Sequence, residues 1–160
     1  FQLLTQVSGR AGRHELPGEV IIQTYTPEHY SINFAKEHDY LTFYQYEMMI
    51  RKRGQYPPFY YLALINVSHE NLQYTYTVIE KITSFVRGQL ADGKGETLIL
   101  GPAVSPILKI KNRYRYQCLI KYKNEPNLIS TLKQVLEHFQ EDQVKRGLHI
   151  SIDLNPYSMM

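Results

Sequence analysis

The chain has 160 residues, 43% hydrophobic and 21% charged, which suits one well-buried domain, or a small domain joined to part of another, and excludes a disordered chain. No apolar run approaches the roughly 20 residues that cross a bilayer, the start Phe1-Gln2-Leu3-Leu4 reads as a piece cut from a longer protein rather than a signal peptide, and a single cysteine, Cys118, excludes an intrachain disulfide or a cysteine zinc site and fits a reducing cytoplasm. Net charge is +3, yet six of the 18 basic residues lie between Lys109 and Lys123 with no acid among them, which leaves 12 basic against all 15 acidic residues elsewhere: one polyanion-binding stretch on an acidic body.

In chain order, residues 1–8 read as a short helix broken by Gly9 and Gly12. Glu19-Val20-Ile21-Ile22-Gln23-Thr24 reads as a buried strand, because β-branched residues cluster after the Pro17-Gly18 turn signal. Thr26-Pro27-Glu28 is a helix-start signature. A longer helix is predicted over 32–53, where Phe34, Leu41, Phe43, Tyr44, Met48 and Ile50 recur at helical spacing and Gly54 stops it. Tyr56-Pro57-Pro58-Phe59 must run extended, since Pro58 keeps Pro57 out of the helical region, and a domain boundary is expected there, giving 1–58 and 59–160.

The second part reads as a strand over 60–67, then a helix over 71–90 with Ile79, Ile82, Val86 and Leu90 on one stripe. A strand over 97–100, interrupted by Gly101-Pro102, precedes two extended pieces at 107–110 and 114–122. Asn124-Glu125-Pro126 opens a second helix, and Leu148, Ile150 and Ile152 alternate as a last strand. The order strand, helix, strand, strand, helix, strand predicts a ferredoxin-like split βαβ sandwich (βαββαβ), an α+β fold.

Two stretches could carry chemistry. In Gln6-Val7-Ser8-Gly9-Arg10-Ala11-Gly12-Arg13, two arginines three apart could place two guanidiniums on one anionic group, and Gln6 could orient a water or phosphate oxygen. The same pattern also fits a positively charged loop capping a helix. The other stretch is a hairpin with its turn at Lys111-Asn112-Arg113, where Asn tolerates the left-handed conformation. Strand alternation puts Arg115, Gln117, Leu119, Lys121 and Lys123 on one face, and Tyr114, Tyr116, Cys118, Ile120 and Tyr122 on the other, core-facing one. Lys109, Lys111, Arg113, Arg115, Lys121 and Lys123 would follow a phosphate backbone while Tyr114 stacks a base. The competing reading is a solvated edge strand whose lysines guard against aggregation. If five of these cations engage phosphates, log affinity for single strands falls with log salt at a slope of about −3.5.

Gln6-x-x-Gly9-Arg10-x-Gly12-Arg13 resembles the sixth motif of superfamily-2 helicases. The fuller string TQVSGRAGRHELPGEVIIQTYTPEHY is similar to the PriA family of bacterial primosomal replication-restart helicases. The likeness continues through Tyr56-Pro57-Pro58-Phe59, Gly101-Pro102, Arg113-Tyr114-Arg115-Tyr116-Gln117 and Ile152-Asp153-x-x-Pro156, with Ser8 in place of Ala and Asn155 in place of an acid. The resemblance implies that 1–58 ends a RecA-like second motor lobe (a strand plus helices) and 59–160 is a C-terminal DNA- and partner-binding domain. It makes Arg10 and Arg13 arginine fingers, Gln6 the coupler of nucleotide state to lobe closure, and Gly9 a nucleotide-facing position. The parent would be an ATP-dependent 3′-to-5′ DNA helicase that recognises stalled forks and D-loops and initiates primosome assembly. ATP, Mg²⁺ and Zn²⁺ would belong to that parent and no cofactor to this chain. Implied partners are branched and single-stranded DNA, single-stranded DNA-binding protein and primosomal helicase-loader proteins. The sequence holds no G-x-x-x-x-G-K-[ST] phosphate cradle, so the 160 residues alone are expected to be inactive as an ATPase.

Other residues point to structure. Arg51-Lys52-Arg53 complements a helix C-terminus, the six histidines lack ligand spacing, and no Ser-His-Asp or Cys-His set stands out. The rival function is a stand-alone ferredoxin-like module that binds nucleic acid or an acidic protein.

Overall fold

The computed structural model describes residues 1–11, 18–90 and 96–156. Gly12 and Arg13 of the arginine motif lie outside these residues. The chain forms two compact units, Phe1–Gly54 and Gln55–Met160.

In the first unit, α1 (Gln2–Ser8) forms as expected. Residues 19–24 do not form the strand their β-branched run predicts, and Ile21 is exposed. A strand needs a neighbour to satisfy its backbone, and the described residues of this unit contain no other strand. Thr26-Pro27-Glu28 closes a turn, with His29 N donating to Thr26 O, and the helix starts later, capped by His29. The single helix predicted over 32–53 is two: α2 (Tyr30–Lys36) and α3 (Tyr40–Arg53). His38 adopts φ 55° between them, and the Asp39 carboxylate accepts from Thr42 N at 3.0 Å, a cap that restarts the helix. The Tyr30 hydroxyl donates to Glu47, whose other oxygen accepts from Arg51 Nε at 2.6 Å. This clamp holds α2 on α3 beside the stacked rings of Phe1 and Phe43.

The second unit contains β1 (Tyr61–His69), α4 (Leu72–Gln89), β2 (Leu98–Ile110), β3 (Arg113–Tyr122), α5 (Leu128–His138), α6 (Gln140–Lys145) and β4 (His149–Leu154). The sheet order is β2-β3-β1-β4 with every neighbouring pair antiparallel, the topology expected for a ferredoxin-like α+β sandwich. Ala63, Ile65, Val67, Cys118, Ile120 and Ile150 meet Ile79, Ile82, Val86, Leu132 and Val135 in one core. Helix α4 forms because its apolar stripe repeats by three and four and because Asn71 caps it, accepting from Tyr74 N at 2.8 Å. Across the opposite sheet face, Leu62, Leu64 and Leu119 form a smaller cluster under Tyr56.

Tyr56-Pro57-Pro58-Phe59, expected to run extended, closes a turn instead, with Phe59 N donating to Tyr56 O at 3.0 Å. Two further details depart from the sequence reading. The pieces at 97–100 and 107–110 are one long strand, β2, that shifts register between Leu100 and Ala103 and again between Val104 and Lys109. At Gly101 φ is 130° and an added Cβ would sit 3.0 Å from Gln117 O, so the strand passes through this point only as glycine. Helix α6 leaves no signal in the sequence, since its six residues are too few for a periodic pattern; it is braced by the i,i+4 pairs Glu141–Lys145 and Asp142–Arg146, the latter reaching its C-cap.

Candidate nucleic-acid interface

The β2–β3 hairpin closes on the pair Ile110↔Arg113. Lys111 and Asn112 both take positive φ, 47° and 61°, as a two-residue turn of the I′ kind requires. Both residues are exposed. One step back, Lys109 faces Tyr114 across the ladder; its ammonium lies 3.4 Å from the phenol oxygen and 4.6 Å from the ring centroid. Lys109 is exposed, and Tyr114 and Arg115 are half-buried. Arg115 stands opposite Ser68 on the sheet face that the helices leave uncovered. Lys109, Lys111, Tyr114 and Arg115 therefore lie at one end of the sheet, with Lys109 and Tyr114 on the helix-side face and Arg115 on the opposite one.

The remaining three cations do not join them as equals. Arg113, expected at the solvent-facing tip, donates to Ser68 O at 2.8 Å, to Ser68 Oγ at 3.3 Å and to Gly147 O at 2.6 Å. Its guanidinium ties the turn end of the hairpin to β1 and to the α6–β4 turn. Lys121 shares a strand face with Arg115, as alternation requires, but that face is covered at this point. The residue is 5% exposed, between Leu62 and Leu98 as cross-strand neighbours, with its ammonium 3.6 Å from the centre of the Tyr56 ring. The expectation of a solvent-facing Lys121 is thus corrected by a residue 65 positions upstream. Lys123 is exposed but ion-paired with Glu96 and 5.0 Å from the Tyr60 ring; its hydrogen bond to that carboxylate holds its ammonium pKa above the usual lysine value. Ten residues of strand separate Arg113 from Lys123, about 33 Å, so the basic stretch is two clusters rather than one groove.

The sequence reading missed Lys145 and Arg146, which the Arg113–Gly147 contact brings to the hairpin end. Lys145 bonds Glu141 at 3.1 Å and Arg146 lies 3.3 Å from Asp142, all largely exposed except the half-buried Asp142. Two adjacent cations before a glycine were the available signal, and the preceding acids obscured it. His69 closes this end: its Nδ1 accepts from Asn71 N at 3.0 Å, which leaves Nε2–H to donate to Arg146 O at 2.8 Å.

In the first unit, Gln6 and Arg10 are both exposed and one helical turn apart. Gly9 ends α1 with φ −67°, an ordinary helical value, and an added Cβ would come within 3.3 Å of Thr5 O. The Ser8 hydroxyl donates to Thr5 O at 3.0 Å. Gln6 also borders an open hollow with Phe1, Gln2, Thr5 and Tyr40. Among the described residues, no group of three or more His, Cys, Asp or Glu could hold a metal ion, and no helix is long and apolar enough to cross a membrane.

The profile of the family described as "Primosomal protein N C-terminal domain" matches residues 52–157. The chain is similar over its whole length, at 58% identity, to the "Replication restart protein PriA" of Bacillus subtilis, covering 20% of that protein. It is 40% identical over 99% of its length to the protein of the same name from Synechocystis, covering 18% of it. With that of Chlamydia muridarum it shares 32% identity over 98% of its length, covering 20%. The chain thus spans about a fifth of the length of these relatives.

Proposed function

This chain belongs to the primosomal protein N C-terminal domain family, and from that membership we propose that it is the C-terminal part of a cytoplasmic replication-restart helicase whose hairpin end meets branched DNA. The parent activity in this reading is ATP-driven 3′-to-5′ unwinding at stalled forks and D-loops, followed by primosome assembly with helicase-loader proteins. The unit ending at Gly54 then corresponds to the close of the second motor lobe. Arg10, with Arg13, would offer guanidiniums to the terminal phosphates of a nucleotide held outside this chain, and Gln6, one turn before Arg10, would sense it. ATP supplies the phosphoryl-transfer energy in the parent; ATP, Mg²⁺ and Zn²⁺ are assigned to that parent.

One observation carries the DNA assignment: Lys109 stands exposed beside the Tyr114 ring and Lys111 exposed on the adjoining tight turn, with no acid between 109 and 123. Cations on a phosphate backbone with a stackable ring beside them are the chemistry of single-strand binding. With Arg113, Lys121 and Lys123 engaged elsewhere, three cations remain for phosphate: Lys109, Lys111 and Arg115. Fluorescence anisotropy with a fork carrying a single-stranded arm tests this. A slope of log affinity against log salt of about −2, from three contacts at about 0.7 each, is expected. Absence of fork binding, or binding indifferent to salt, overturns the reading.

A second reading has an observation of its own. Lys145 and Arg146 at the hairpin end already hold carboxylates, so the same cationic end also suits an acidic peptide such as the tail of single-stranded DNA-binding protein. Tight binding of an acidic peptide with no fork binding assigns the domain to a protein adaptor role.

A further inference from the structure

Strand β2 is an edge of the sheet, hydrogen-bonded to β3 on one side. Between the pairs Val104↔Tyr116 and Lys109↔Tyr114 it has four intervening residues where β3 has one, so three extra residues are forced out of the ladder. Ser105 turns inward and is buried. Pro106, Ile107 and Leu108 are exposed, Ile107 by 54% and Leu108 by 39%, and Val104 and Ile110 on either side are also exposed. The result is a ridge of exposed Pro106, Ile107 and Leu108 immediately before Lys109 and Lys111.

Edge strands are usually blunted with charge, proline or a bulge. Here Pro106 removes a backbone donor and the bulge breaks the ladder, so this edge is poorly made for adding a strand from another chain. Those devices do not call for aliphatic side chains on the outside, where each is a solubility cost. Aliphatic residues and proline flanked by cations are, however, the means by which proteins wedge between base steps: the apolar group replaces a stacked base while the cations hold the neighbouring phosphates.

We propose that the Pro106-Ile107-Leu108 ridge is a wedge that inserts between bases at a DNA junction, with Lys109 and Lys111 seated on the adjacent phosphates. The proposal rests on the DNA reading above and adds its mode: unstacking at a duplex end rather than passive tracking of a strand. Lys111 and Asn112 hold the adjoining turn in a left-handed geometry.

The test uses the 160-residue chain and a fork with 2-aminopurine at the junction base pair, whose emission rises when unstacked. Wild-type protein at saturation should raise the emission several-fold. An Ile107→Ser/Leu108→Ser variant, altered only at exposed side chains, should bind the fork with an unchanged salt slope and lose most of the rise. A Lys109→Ala/Lys111→Ala variant should bind more weakly and recover the rise at higher concentration. Fork binding with no change in emission, or a rise that survives the serine variant, overturns the wedge and leaves the DNA assignment standing. No fork binding at all overturns both.

Discussion

Arg113 carries the same charge as Lys109 and lies at the same hairpin, yet the two have opposite fates. Three acceptors on two other segments surround the Arg113 guanidinium, so it positions the hairpin, whereas Lys109 faces solvent beside a tyrosine ring. The distinction is measurable. Arg113→Ala should lower the stability of the chain by about 1–3 kcal/mol, the range for lost hydrogen bonds to a charged donor, and weaken fork binding without altering the salt slope. Lys111→Ala should leave the melting temperature in place and reduce the slope by about 0.7. Arg113→Lys should rescue little, because an ammonium cannot reach two carbonyls in different segments with a rigid fork. A reduced slope with an unchanged melting temperature for Arg113→Ala would assign it to phosphate instead. Lys121 makes the same point by burial: charge in a sequence is not charge at a surface.

Elements are held to one another by few but directional contacts. The Tyr30–Glu47–Arg51 clamp joins α2 to α3, two helices that the sequence pattern reads as one. Burial, then the hydrogen bond to Glu47, pushes the Tyr30 phenol up to about 12 from 10.0. Burial also acts to raise Glu47, but hydrogen bonds from Tyr30 and Arg51 outweigh it and hold the carboxyl below its ordinary value of 4.5. The signs then follow. Tyr30, raised in the folded state, contributes stability that is complete below about pH 10 and lost as pH climbs through about 12; Glu47, lowered, contributes stability present above its unfolded value and lost as pH falls through the lower folded one. Helicity followed across pH should therefore fall at both extremes. Tyr30→Phe should flatten the alkaline limb and remove the latest phenol from the absorbance titration. If the variant and wild type share one alkaline titration, the clamp is not formed in solution.

In the proposed reading the two units divide the chemistry: the first would offer Arg10 to a nucleotide held outside this chain, and the second carries a cationic sheet end with its own acids, Glu141 and Asp142, close by. Nowhere in the 160 residues is there a phosphate-cradling G-x-x-x-x-G-K-[ST] run. The purified chain should accordingly release no phosphate from ATP above background, with or without forked DNA, in a coupled phosphate assay; DNA-stimulated turnover would refute the division. Lys123 lies about 33 Å along the strand from Arg113, so one short oligonucleotide on the hairpin end should leave the Lys123–Glu96 pair untouched.

Legibility followed the range of each signal. The stripe of Ile79, Ile82 and Val86, the alternation of Leu148, Ile150 and Ile152, and the turn residues Lys111-Asn112 are patterns within a few positions, and the helices, strands and topology they imply are those observed. Alternation likewise set Lys121 on the same face as Arg115. What covers that face is Tyr56, and what occupies Arg113 are carbonyls at 68 and 147: partners 65, 45 and 34 positions away, brought close only by the folded sheet. The strand expected over 19–24 failed for the converse reason, since β-branched residues supply a preference but not the neighbour that a strand's backbone must bond. Local chemistry sets which conformation a segment prefers, whereas long-range packing sets which of its side chains are left to meet another molecule.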